Sequence, residues 1–141
     1  TSLFDGRGAM AGASAEGTAF FAGGSNGTTI TNLVHAVDSN LTVTAIIGGL
    51  RYSVWLNGGV EIGPYALFVG GGGNVSMHSL SAVDYYDKNR TVHRADFSLQ
   101  TPRYGMGVAR AGDVVFVAGG GNILDNTYAT SIETIKYFPD S

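Results

Sequence analysis

An all-β repeat array is the fold class this sequence predicts, and three observations predict it. An apolar run ending in Gly-Gly occurs three times, as Phe20-Phe21-Ala22-Gly23-Gly24, Leu67-Phe68-Val69-Gly70-Gly71 and Phe116-Val117-Ala118-Gly119-Gly120. The double glycines begin at 23, 70 and 119, steps of 47 and 49 residues. About fourteen residues beyond each comes an apolar-acidic step: Val37-Asp38, Val83-Asp84 and Ile132-Glu133. A period near fifty with a strand running into Gly-Gly marks propeller blades. The chain therefore reads as a β-propeller segment of about three four-stranded blades, the third incomplete. The repeat units span approximately 5–48, 49–100 and 101–141 within one domain.

Each unit is expected to contain its strands in a fixed order. The first is small and partly apolar, at 9–15, 53–57 and 105–110, and is entered through an arginine (Arg7-Gly8, Arg51-Tyr52, Arg103-Tyr104). A turn carrying Gly, Glu, Pro or Asp follows. The second strand, 18–22, 65–69 and 114–118, is continuously apolar, as a strand covered on both faces must be. After the Gly-rich loop comes a third strand with period-two alternation, 33–38, 80–86 and 130–137. The fourth is expected at 41–46 and 91–97. The turn before it repeats, Asp38-Ser39-Asn40-Leu41-Thr42 against Asp87-Lys88-Asn89-Arg90-Thr91. No useful stretch has the 3.6-residue period of a helix.

Three blades do not close a ring, since propellers use about four or more. The chain is thus expected to be a piece of a longer propeller or a sector completed by other chains, two copies giving six blades. Its amino end, Thr1-Ser2-Leu3, is neither an initiator methionine nor a signal peptide, so an upstream segment is expected to have been removed.

Composition excludes several functions. The 141 residues fit a single domain, and 44% hydrophobic against 13% charged residues is not the balance of a disordered chain. Eight Lys and Arg spread along a chain of net charge −3 make a nucleic-acid footprint hard to assemble. No run of 18 apolar residues is present, so no membrane span is expected. With no cysteine there is no disulfide, thiolate metal site or cysteine nucleophile. Four Asn-x-Ser/Thr sequons, at Asn26, Asn40, Asn74 and Asn89, are possible N-glycosylation sites. They tilt localisation toward an extracellular, cell or virion surface. As a plainer reading, asparagine simply suits turns.

The residues that carry this order resemble the kelch repeat. The third unit shows it best, in Thr101-Pro102-Arg103-Tyr104-Gly105, Val114 to Asn122, Ser131-Ile132-Glu133 and Tyr137. The second matches through Phe68 to Gly71 and Val83-Asp84-Tyr85-Tyr86-Asp87. The first lacks a proline before Arg7 and a tyrosine after Asp38. The fourth-strand tryptophan of the kelch pattern is absent, with Val43 and Val92 in that region. The resemblance implies a propeller that binds proteins through its loops. The copper of the galactose-oxidase branch needs a cysteine crosslinked to tyrosine, so no cofactor is expected here.

The glycine clusters 70–73 and 119–121 lack the lysine and the helix of a phosphate loop. His35, His78 and His93 share no ligand spacing, so no metal site is expected. The arginine steps and the loops after Gly-Gly should lie on one face of the disc. The candidate binding residues are therefore Arg7, Arg51, Tyr52, Arg103 and Tyr104, side chains that commonly anchor interfaces or stack on sugars. A repeated arginine equally fits a scaffolding role. Trp55, the single tryptophan, is expected on the innermost strand of unit two, plugging a channel or flooring a site. The sequence thus points to a non-catalytic protein-binding or structural assembly module, with further blades or another protein as partner. The alternative is a carbohydrate-binding or carbohydrate-active propeller.

Overall fold

The computed structural model describes residues 1–46, 48–73, 81–122 and 125–137. These contain strands and no helix. The first unit is a four-stranded antiparallel meander: β1 (Ala11–Ala15), β2 (Thr18–Ala22), β3 (Val34–Val37) and β4 (Val43–Ala45), paired in chain order. A short strand β5 (Val54–Trp55) follows. The second meander comprises β6 (Gly58–Ile62), β7 (Tyr65–Val69), β9 (Val83–Tyr86) and β10 (Val92–Arg94), with β8 (Gly72–Gly73) pairing β5 outside it. The third sheet joins β11 (Gly107–Ala111), β12 (Val114–Ala118) and β15 (Ile132–Lys136). Beside it lies the ribbon of β13 (Gly121–Asn122) and β14 (Thr127–Tyr128).

The expected second strands fall on β2, β7 and β12 residue for residue. The expected first strand of unit two does not. Val54 and Trp55 pair with Gly73 and Gly72, and the strand that pairs β7 is Gly58–Ile62. Its glycines resemble a turn, but close packing requires them. A Cβ on Gly59 would stand 2.6 Å from the carbonyl oxygen of Gly12 in β1, and one on Gly58 would strike Val108 of β11. It is the lack of a side chain at glycine that lets the first strands of three sheets approach one another.

The sheets pack face to face in chain order, giving two cores. Between the first and second lie Phe20, Ala22, Val34, Ala36, Leu50, Val54, Ala66, Phe68 and Tyr86. Phe20 stacks on Tyr86 at 5.5 Å between ring centroids, and Phe68 meets the same ring edge-on. Between the second and third lie Ile62, Leu67, Val69, Val83, Leu99, Val115 and Val117. Each Val, Leu, Ile and Phe side chain among them contributes roughly 1.5–3 kcal/mol on burial. The alternation of β7 sends Ala66 and Phe68 to one core and Leu67 and Val69 to the other, which is why the strand reads as continuously apolar.

The repeated turn before the fourth strand has one geometry in both complete units. Asp38 Oδ1 accepts the N–H of Asn40 and Thr42 at 3.0 Å each, and Asp87 Oδ1 accepts those of Asn89 and Thr91 at 2.9 and 3.1 Å. Leu41 and Arg90 close the turns at φ 64° and 65°.

Candidate interaction site

The strand registers fix which residues correspond between units. Phe21, Phe68 and Val117 pair on one side with Gly12, Gly59 and Val108, and on the other with His35, Asp84 and Glu133. Five residues before Gly12 and Val108 stand Arg7 and Arg103. Five before Gly59 stands Val54, not Arg51. The bridges agree, since Gly8, Trp55 and Tyr104 pair with Ser25, Gly72 and Gly121. Trp55 therefore has counterparts, and it lies off the innermost strand where the sequence reading had put it. The Arg-Tyr step of unit two sits three residues too early to match the others.

Arg7 and Arg103 have fully buried side chains. Arg7 donates to the carbonyls of Gly23 and Leu33 at 2.8 Å each, to Phe21 at 3.2 Å, and to His35 Nδ1 at 3.1 Å. A guanidinium only donates, so Nδ1 accepts and His35 is held neutral. Burial, then the charge of Arg7, lowers the pKa of His35 against the opposing pull of Asp5. Arg103 donates to the carbonyls of Gly119 and Ser131 at 3.1 Å each, and to Glu133 Oε2 at 2.8 Å. Both guanidiniums thus tie the end of the second strand to the start of the third. In unit two the buried carboxylate Asp84 is served differently. The Arg51 N–H donates to it at 2.9 Å, and the Arg51 and Arg94 guanidiniums stand 3.5 and 3.4 Å away.

The segments carrying Arg7, Trp55 and Tyr104 run beside Ser25, Gly72 and Gly121, the first residues after each Gly-Gly. Tyr52 packs against the first core. Trp55 and Tyr104 are partly exposed, and each ring lies over the glycine of its own loop. A Cβ on Gly72 would stand 2.8 Å from the Trp55 indole nitrogen, and one on Gly121 would stand 3.0 Å from the Tyr104 ring. Of the six candidate residues, Trp55 and Tyr104 are brought to matching places on one face. Asn26, Asn40 and Asn89 lie in exposed turns. Asn74 and His78 lie outside the described residues.

The same registers reveal a docking device that sequence reading missed. Gly24 donates its N–H to the Val54 carbonyl at 2.7 Å, and Gly71 donates to the Arg103 carbonyl at 3.0 Å. Leu56 donates to Ala9 and Gly105 to Leu56, both at 2.8 Å. Leu50 donates to Asn32 at 2.8 Å and Leu99 to Ser81 at 2.9 Å, and both leucine side chains are buried between sheets. Among the described residues, units two and three are each fastened to the unit before by these three backbone hydrogen bonds and one inserted leucine, and the first joint adds a bond from the Val54 N–H to the Thr31 carbonyl at 3.2 Å. Ala9, Leu56 and Gly105 occupy corresponding places at φ 55°, 54° and 64°, so the segment bends alike in all three units. The visible signal was a leucine four residues before each buried arginine, Leu3 before Arg7 and Leu99 before Arg103.

A concavity of about 280 Å³ opens between units two and three, lined by Tyr65, Leu67, Tyr85, Phe97, Lys136 and Tyr137 among others. Tyr65 meets Tyr85 and Tyr137 edge-on at 4.9 and 6.1 Å, and Tyr85 stacks on His93 at 5.0 Å. His93 Nε2 pairs with Asp87 at 3.1 Å. Partial burial would raise the Asp87 pKa, but the His93 ring and the N–H groups of Thr91 and Asn89 hold it below the usual value.

No family model matches the chain, and no curated protein matches it in sequence.

Proposed function

We propose that this chain is a non-catalytic module for protein binding or structural assembly, built on kelch-type propeller repeats. The repeated fastening of unit to unit supports this reading most directly. The same three bonds and the same leucine join the first unit to the second and the second to the third. A chain made this way extends by adding like units, and its working surface is the row of loops along one face. There Trp55 and Tyr104 are the anchors, while Arg7 and Arg103 stiffen the frame beneath. The partners are further units of this kind or a protein laid across the loops, at a cell, virion or extracellular surface. The test is far-UV circular dichroism with a thermal melt, alongside light scattering. A β spectrum with one cooperative transition is expected; a non-cooperative melt would overturn the reading.

A second reading, carbohydrate binding, draws on the groove of Tyr65, Tyr85, Phe97 and Tyr137. Aromatic walls with hydroxyl groups suit the apolar faces and hydroxyls of sugar rings. Calorimetric titration with a panel of oligosaccharides tests it. Binding lost in Tyr65→Ala would favour this reading, and absence of heat across the panel would remove it.

A further inference from the structure

Among the described residues, the first and third units each present half of the docking device without its counterpart. In unit three, Gly120 corresponds to Gly24 and Gly71, and its N–H has no partner among the described residues. The same holds for the carbonyls of Gly105 and of Thr130, which correspond to acceptors used in the earlier units. Around these groups the sheet is bare. Phe116 corresponds to Phe20 and Leu67, which are 0% and 4% exposed, yet it is 39% exposed. Ile132 corresponds to Val34 and Val83, both 0% exposed, and is 65% exposed. Hydrophobic side chains in these places are covered wherever another unit follows.

Unit one carries the other half. Leu3 stands where Leu50 and Leu99 stand, the Arg7 carbonyl where those of Val54 and Arg103 stand, and the Ala9 N–H where those of Leu56 and Gly105 stand. None of these backbone groups has a partner among the described residues. Phe21 and Leu33 face the same way, with Phe21 half-buried where Phe68 and Val117 are covered, and Phe4 is exposed beside them.

We propose that the open face of unit three receives unit one of a second copy of this chain, head to tail. Leu3 enters beside Ile132 and Phe116, with its N–H donating to Thr130. Gly120 donates to the Arg7 carbonyl, and Ala9 donates to the Gly105 carbonyl. Val37 occupies the place of Tyr86, so it meets Phe116 as Tyr86 meets Phe20. The occupant is identified by complementarity in three hydrogen bonds and one apolar plug, a match the molecule already makes twice internally. The contact is heterologous, so it propagates into a ring or a filament according to its rotation. This inference rests on the repeat reading given above.

Two surface substitutions test it together. Ile132→Lys spoils only the receiving face and Leu3→Asp only the entering one. The wild-type chain should self-associate in sedimentation velocity, and each variant alone should associate at least tenfold more weakly. Mixed in equal amounts, they should form a pair of twice 14.6 kDa and nothing larger. That pair has one intact joint, between the Leu3→Asp chain's third unit and the Ile132→Lys chain's first. A mixture that stays monomeric, or variants that associate as the wild type does, would overturn the proposal. A folded, cooperatively melting monomeric wild type would overturn it while leaving the module reading in place. A chain without cooperative β structure would overturn both.

Discussion

Gly71 donates its N–H to the carbonyl of Arg103 in unit three from a backbone twisted to φ 109°. A Cβ there would lie 2.9 Å from the Cβ atoms of Asn57 and Val54. Gly71→Ala therefore combines left-handed strain of about 1–2 kcal/mol with overpacking of about 1–3 kcal/mol. Gly112, at φ 59° with open space around it, isolates the first effect. Urea denaturation should show Gly71→Ala losing clearly more stability than Gly112→Ala; equal losses would mean Gly71 is not tightly packed against Val54 and Asn57.

Arg103 is the most consequential charged side chain in the frame. Arg103→Met takes the guanidinium away from four carbonyl groups and from Glu133, which among the described residues keeps only the N–H groups of Gln100 and Thr101, a loss of about 3–5 kcal/mol. Adding Glu133→Gln should recover part of this, because the stranded charge is removed. Arg7→Met should cost less, since its acidic neighbour Asp5 is 40% exposed and rehydrates readily. A double-mutant cycle of Arg103 and Glu133 by chemical unfolding measures the coupling. Strictly additive losses would contradict it.

His35 makes stability depend on pH. Its folded pKa is lowered, so the unfolded chain takes up a proton near pH about 6.5 that the folded chain refuses. The stabilisation is complete above that pH and is lost as pH falls from it toward the folded value. Unfolding midpoints should therefore drop between about pH 7 and pH 5, and His35→Gln should flatten that drop while still accepting from Arg7. Asp87 acts in a lower window. Its lowered pKa gives stability that is present above about pH 4 and lost below it. Midpoints indifferent to His35→Gln would show that the ring titrates as freely folded as unfolded.

Trp55 offers a direct view of the loop face. It is the single tryptophan and is 38% exposed, so iodide should quench its emission in the native chain. A protein bound across the loops should protect it, whereas head-to-tail docking through unit three should leave it accessible.

Glycosylation is readable at three exposed turns. Expressed through a secretory pathway, the chain should carry glycans at Asn26, Asn40 and Asn89, seen as mass lost on enzymatic deglycosylation. An unchanged mass would leave these asparagines as turn formers. Asn26 already accepts the N–H of Thr28 and Thr29 in that role.

The second strands were legible to the residue because burial on both faces writes an uninterrupted apolar run. The Asp-x-Asn turns were legible because one carboxylate oxygen must meet two N–H groups at fixed spacing. The first strand of unit two was not, because Gly58 and Gly59 carry the same letter as a turn while serving close approach. The alignment of Arg51 with Arg7 and Arg103 failed for a related reason. Val54 holds the corresponding place through its carbonyl, and a carbonyl leaves no trace in the identity of a side chain.

That last point has a wider consequence. Ala9, Leu56 and Gly105 share no side-chain chemistry, and neither do Asn32 and Ser81, yet they perform the same joins. A coupling made from the main chain is blind to most mutations. Units of this kind can drift apart in sequence, be duplicated or be exchanged between genes, and still click together.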